Sequence, residues 1–175
     1  MRSKIEWLRD PVTGKQGYSI NPIKGKCPVA CSYCYARRLY DRFGWNPEIR
    51  FDEDAITYLP FKASRIFVGS TMELFGNWVN PEWLEKIFWR VKYVYPHHTF
   101  IFLTKCPQNL IKFLPFPSNC FVGVSVTNQE QYDKAIHHLK DVQASVKFLS
   151  FEPLLEHIIL DNKPCLRETH HFIGG

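Results

Sequence analysis

Four short apolar runs constrain this chain most: "RIFVGS" at 65–70, "TFIFLTK" at 99–105, "CFVGVSV" at 120–126 and "SVKFLSF" at 145–151. Each is apolar at successive positions instead of alternating. A strand tolerates that when both faces of its sheet are covered, as in parallel sheets. Helical patterns lie between the runs. Asn80 and Pro81 open one as N-cap and first helical residue, with Trp83, Ile87, Val91 and Val94 sharing a face. "PQNLIKFL" begins with proline, and "TNQE" offers a capping box of Thr127 with Glu130 before an apolar face of Tyr132, Ala135, Ile136 and Leu139. "GYSINPI" reads as an earlier strand and "HHFIGG" at 170–175 as a sixth, while 154–168 contains Pro164 and shows no clean period. Six strands joined by helices or loops predict an α/β fold with a parallel sheet and right-handed crossovers. With 175 residues, 45% of them hydrophobic, the chain suffices for one domain, 1–175, and is short for two.

Other classes fall away on composition. The start, "MRSKIEWLRD", has no apolar leader core, and no run approaches the roughly 18 apolar residues of a membrane span, so a cytoplasmic protein is expected. Aromatics, 15% of the chain, sit mostly inside apolar runs and read as core. Net charge is +5, and residues 1–50 hold ten Lys and Arg against four acids, whereas the remainder holds twelve against thirteen. That basic end fits an approach surface for a polyanion such as nucleic acid, and equally a solvated face. The histidine pairs 97/98, 137/138 and 170/171 read as surface or loop residues, because sequence neighbours point in different directions.

Parallel β/α folds gather chemistry where strands end. Past the first run comes a cysteine loop. Past the second lie Ser70 and Glu73; past the third, Thr104 and Lys105; past the fourth, Ser125 and Thr127; past the fifth, Ser150 and Glu152; past the sixth, Gly174 and Gly175. The loop, residues 25–35, carries Cys27, Cys31 and Cys34 in the spacing C-x3-C-x2-C, and Gly25 and Pro28 suit its bend. "YCYARRLYDRF" then reads as a helix stopped by Gly44. Six cysteines in a reducing compartment favour metal or redox chemistry over disulfides, and Cys106, Cys120 and Cys165, scattered singly, read as ordinary buried thiols. Thiolates suit zinc or iron–sulfur centres. Structural zinc closes its tetrahedron with four ligands, so zinc here requires one from a distant residue or another chain; an iron–sulfur cubane with three thiolates keeps one iron open.

The spacing C-x3-C-x2-C, with Tyr33 just before the third cysteine, resembles the cluster loop of the radical S-adenosylmethionine superfamily. "GWNPEIRFDEDA", "RIFVGSTMELFGNWVNPEWLEKIF", "HTFIFLTKCPQNL", "FVGVSVTNQEQ" and "VKFLSFEPLL" together resemble a phage-associated family of uncharacterised radical-SAM-like proteins, over nearly the whole chain. The resemblance implies a partial (β/α)6 TIM-like barrel, a [4Fe–4S] cluster held by Cys27, Cys31 and Cys34, and S-adenosylmethionine on the fourth iron. It implies Tyr33 near the adenine, Ser70 and Glu73 at the methionyl amine, Ser125 and Glu152 at ribose or carboxylate, and Lys105 at the carboxylate or as a plain strand-end charge. It implies reductive cleavage of the cofactor to a 5′-deoxyadenosyl radical, fed by an electron donor such as flavodoxin or ferredoxin. The substrate stays open, with nucleic acid suggested by the basic end. Two departures stand out. "GSTMELFG" carries one residue more than the family's "SMxDLF" with Glu73 in place of Asp, and the chain stops at "HFIGG" where members continue, so a truncated barrel is expected. Two other functions remain open: a zinc- or cluster-bearing nucleic-acid-binding module without catalysis, and a degenerate barrel kept for partner contacts along its last strand.

Overall fold

The structure, a computed structural model, describes residue 3, residues 5–160 and residues 169–172. Six strands form one parallel sheet: β1 (Tyr18–Ile20), β4 (Arg65–Val68), β5 (Thr99–Thr104), β6 (Cys120–Ser125), β7 (Val146–Ser150) and β8 (Thr169–Phe172). Their order in space is their order along the chain, from the Tyr18↔Ile66 register of β1 on β4 to Ser150↔Phe172 of β7 on β8. The expected α/β class and parallel sheet are therefore observed. Cys165, Gly174, Gly175 and the side chains of His170 and His171 lie outside the described residues.

Both sheet faces are apolar, as the unbroken runs require, but different partners cover them. Ile66, Val68, Phe100, Phe102, Val122, Val124 and Leu149 pack with Leu84, Ile87 and Val91 of the third helical segment and with Tyr132, Ala135, Ile136 and Leu139 of the fourth. The alternate residues Phe67, Ile101 and Phe148 form a second, smaller core around Leu8, flanked by Trp7, Leu103 and Phe121. The N-terminal 3-10 turn Glu6–Leu8 thus covers the face that the helical segments from Pro81 and from Gln129 leave free. Trp7 meets Phe67 edge-on, with ring centroids 5.1 Å apart.

Between β1 and β4 the chain makes an excursion that the apolar pattern did not reveal. It is clasped by a two-residue antiparallel ladder, β2 (Ile23–Lys24) on β3 (Arg50–Phe51), and contains helix α1 (Tyr35–Phe43), with the single turn α2 (Asp54–Thr57) after it. Gly44, at φ 60°, ends α1 as expected.

Several local expectations change. Helix α3 (Pro81–Trp89) is capped by the Asn80 side chain, which accepts from Glu82 N–H at 3.0 Å, but its last turn widens into a π-helix over Arg90–Val94. The phase shift turns Val94 outward, 40% exposed, and Leu84 joins the buried face. Helix α4 (Gln129–Leu139) is capped one residue later than "TNQE" suggests. Asn128 accepts from Gln131 N–H, while the Gln131 side chain accepts from Thr127 N–H and Oγ1; Glu130 stays exposed. Most aromatics are covered, but Phe43, Trp45, Tyr58, Phe61, Trp89 and Tyr93 are exposed.

His98 is 1% exposed, contrary to the surface reading of the pair; only His97 faces out. Its Nδ1 accepts from Ser64 N–H at 3.1 Å, and its ring packs against those of Tyr95, His97 and Phe100. Burial, then the neighbouring His97, hold its pKa below the ordinary 6.5. Below 6.5 the unfolded chain therefore binds a proton that the folded chain resists, and stability falls as pH drops from there. Urea unfolding should show wild type losing more stability between pH 7.5 and 5.5 than His98→Gln, which keeps an acceptor and cannot titrate; equal losses would contradict this role.

Candidate metal centre

The cysteine loop leaves the C-terminal end of β1 and is pinned at both margins. Gly25 sits at φ 126°, where a Cβ would meet Glu48 O at 2.6 Å; its N–H donates to Tyr40 Oη at 2.8 Å, and Lys26 pairs with Asp41 at 2.5 Å. Within the loop Ala30 adopts φ 54°, a left-handed conformation unusual for a residue with a Cβ. Cys34 is the N-cap residue of α1, and its N–H donates to Cys31 O at 3.1 Å. Arg37, one turn into the helix, donates to Cys27 O at 2.7 Å. The short C-x2-C spacing is therefore a turn leading into a helix, and the first cysteine is drawn back to the same helix.

This folding brings Cys27, Cys31 and Cys34 to one cavity of about 140 Å³ at the C-terminal edge of the sheet. Phe67 and Leu103, from the smaller core around Leu8, form part of its wall, with Ser70, Glu73, Lys105 and Ser125 around them. All three cysteines are free and half-buried. Among the described residues no three His, Cys, Asp or Glu side chains converge closely enough to hold a single metal ion. Thiolates on one zinc share a centre about 2.3 Å away, whereas a cubane takes its thiolates on separate irons.

Glu73 organises the wall. Its carboxylate, 7% exposed, accepts from Thr104 Oγ1 at 2.6 Å and Phe75 N–H at 3.0 Å through Oε1, and from Lys105 N–H at 2.6 Å through Oε2. These use three of its roughly four acceptor positions. Burial raises its pKa above 4.5, opposed by those same bonds. Lys105 holds its ammonium 5.5 Å from the Tyr33 ring centroid, and burial draws its pKa down while the thiols of Cys31, Cys34 and Cys27 and the Glu73 carboxylate oppose that shift. Lys105 thus lines the cavity. Burial, with the adjacent Cys31 adding, pushes the Tyr33 phenol up to about 12. Burial also raises the Cys27 thiol, although N–H groups of Glu73 and Val29 pull it down.

Most residues anticipated from the sequence meet here. Ser70 donates to Asn21 Oδ1 at 3.1 Å, and its carbonyl accepts from Tyr35 Oη. Ser125 is 7% exposed and lines the cavity. Tyr33 and Glu152 do not line it: Tyr33 lies beyond Lys105, and Glu152 follows β7, half-buried. Asn21 and Arg37 escaped notice, and Thr104, noted only as a strand-end residue, braces Glu73. Asn21, just past the first strand, holds the Ser70 turn through both Ser70 Oγ and Thr71 N–H. Cys120 is fully buried on β6, its thiol raised to about 12 by burial, while Cys106 is half-buried and raised to about 11; both fit inert thiols.

These features define an α/β protein with a three-thiol centre at one edge of a parallel sheet. Residues 2–175 match the family described as "Protein of unknown function (DUF5131)", and the chain belongs to that family. No curated protein and no solved structure matches it.

Replacing Glu73 by Ala strands the Thr104 hydroxyl and two N–H groups. Urea titration should show a loss of about 1–3 kcal/mol. Glu73→Gln, which retains a carbonyl acceptor, should lose less. A Glu73→Ala variant within about 0.5 kcal/mol of wild type would show that the carboxylate does not brace this wall.

Proposed function

We propose that this chain is a radical S-adenosylmethionine protein, in which Cys27, Cys31 and Cys34 hold three irons of a [4Fe–4S] cluster. The observation that carries this reading is the meeting of three free thiols from one loop in one cavity, beside a lysine and with the nearest carboxylate already engaged. The donor set fits the group: three soft ligands, and no fourth thiol among the cavity residues. With S-adenosylmethionine bound, such a cluster would supply one electron to break the sulfonium S–C5′ bond, releasing methionine and a 5′-deoxyadenosyl radical able to take hydrogen from a substrate.

The remaining residues bind and orient. Tyr33 offers an aromatic face toward the adenine side, and Lys105 adds a positive charge suited to the methionyl carboxylate. Ser70 and Glu73 stand nearest the methionyl amine; Glu73 keeps one acceptor position for it. Ser125 serves the ribose from the cavity wall, and Glu152 reaches the cofactor only if the segment after β7 turns inward on binding. Phe67 and Leu103 exclude water from the floor. Six parallel strands in chain order, with α3 and α4 packed on one face, support a partial (β/α)6 barrel whose inner face carries the site. No helix among the described residues is long and apolar enough to cross a membrane, and free thiols favour the reducing cytoplasm, where flavodoxin or ferredoxin supplies electrons.

An exposed aromatic and cationic rim at the C-terminal end of α1 suits nucleic acid as substrate. Phe43 and Trp45 are exposed and stacked at 5.6 Å, with Arg42 over the Phe43 ring and Arg38 exposed on the same helix. Aromatic faces among cations are what single-stranded nucleic acid binds. The same rim serves the non-catalytic nucleic-acid-binding reading, so turnover separates the two. Reconstituted anaerobically and given dithionite, wild type should release 5′-deoxyadenosine and methionine from S-adenosylmethionine, and Cys31→Ser should fall to background by chromatography. Salt-dependent oligonucleotide binding without any cofactor cleavage would favour the binding module instead.

A further inference from the structure

A second cavity, of about 520 Å³, opens at the opposite, N-terminal edge of the sheet, where Tyr18, Arg65 and Thr99 begin β1, β4 and β5. Arg65 and Thr99 are register partners and share the inner face with Phe67 and Ile101. The apolar plug of Trp7, Leu8, Phe67 and Phe148 therefore separates this cavity from the cysteine centre.

Its charge is one-sided. Lys15, Lys62 and Arg65 face a single acid, Asp10, an excess of two positive charges, with His97 on the rim. Asp10 is held by its own loop through Oδ1, which accepts from Val12 N–H at 3.1 Å, Thr13 N–H at 2.6 Å and Thr13 Oγ1 at 2.9 Å, while its charge also acts on Arg65. None of the three cations forms a salt bridge among the described residues. Arg65 spends one nitrogen on Arg9 O at 3.2 Å and lies 5.8 Å from the Phe121 ring centroid, which positions its guanidinium and leaves other N–H groups uncommitted. A preset arginine fork with two exposed lysines matches a phosphate dianion. The volume exceeds what one anion fills and falls in the range of small-molecule sites.

We propose that this cavity binds a phosphate monoester, the dianion seated between Arg65, Lys15 and Lys62 and the body of the ligand extending toward Tyr18 and Thr99. The site is independent of the cluster. Ligand chemistry of this kind comes either from a free nucleotide or from the 5′-phosphorylated end of a nucleic acid.

Calorimetric titration of the full chain at low ionic strength tests it, using inorganic phosphate, AMP, adenosine, and a ten-nucleotide DNA with and without a 5′-phosphate. Binding of phosphate and AMP but not adenosine is expected, weakening as salt rises. Preference for AMP or for the phosphorylated DNA identifies the source, and both support the site. Lys15→Glu/Lys62→Glu, two exposed positions, should bind about tenfold more weakly or worse. Lys86→Glu/Lys92→Glu, the same charge change elsewhere, should bind like wild type. Cys27→Ser should also retain wild-type phosphate affinity, which separates this site from the cysteine chemistry. No binding of phosphate or AMP at millimolar concentration, or equal affinity in the Lys15/Lys62 variant, would overturn the proposal.

Discussion

One buried carboxylate ties the loop after β4 to the end of β5. Glu73 receives the Thr104 hydroxyl and the Lys105 and Phe75 N–H groups, so the wall of the cysteine cavity and the direction of Lys105 depend on a single side chain. Burying a carboxylate is expensive unless hydrogen bonds offset the lost hydration, and here three do. The consequence reaches the thiols. Glu73 N–H also lies beside Cys27, so the residue that fixes the strand ends also polarises the first cysteine.

The same economy shapes the larger fold. A parallel sheet needs both faces covered, and in this chain α3 and α4 supply one face while a short N-terminal turn supplies part of the other. A cavity therefore lies at each edge of the sheet. At the C-terminal edge the opening is small and lined by thiols; at the N-terminal edge it is wide and cationic. The basic bias of the first fifty residues is divided in the structure: Lys15 belongs to the N-terminal cavity, while Arg38 and Arg42 sit on helix α1, Arg42 over the Phe43 ring.

Much of this was legible in sequence because it rests on signals of short range. Continuous apolar runs marked β4 to β7, Asn80–Pro81 marked the start of α3, Gly44 the end of α1, and three cysteines in eight positions marked the centre. What escaped depends on tertiary context. A two-residue ladder such as β2–β3 has no periodicity to detect, and the π turn after Trp89 breaks the helical phase that placed Val94 inside. His98 was misread because adjacency in sequence says nothing of which neighbour a loop turns inward; its imidazole is drawn in by Ser64 N–H. Glu152 follows a strand end, like Ser70 and Ser125, yet the chain leads it away from the cavity they share. Strand-end position alone does not specify which side chains converge.

The central claim is that three thiols leave one coordination position of an iron–sulfur cluster open to S-adenosylmethionine. The most direct measurement is EPR of the anaerobically reconstituted, dithionite-reduced protein, with and without that cofactor. The account predicts a [4Fe–4S]⁺ signal that changes shape on its addition and is lost when Cys34 is replaced by Ala. A cluster signal indifferent to S-adenosylmethionine, or zinc near one per chain with no cluster, would contradict it.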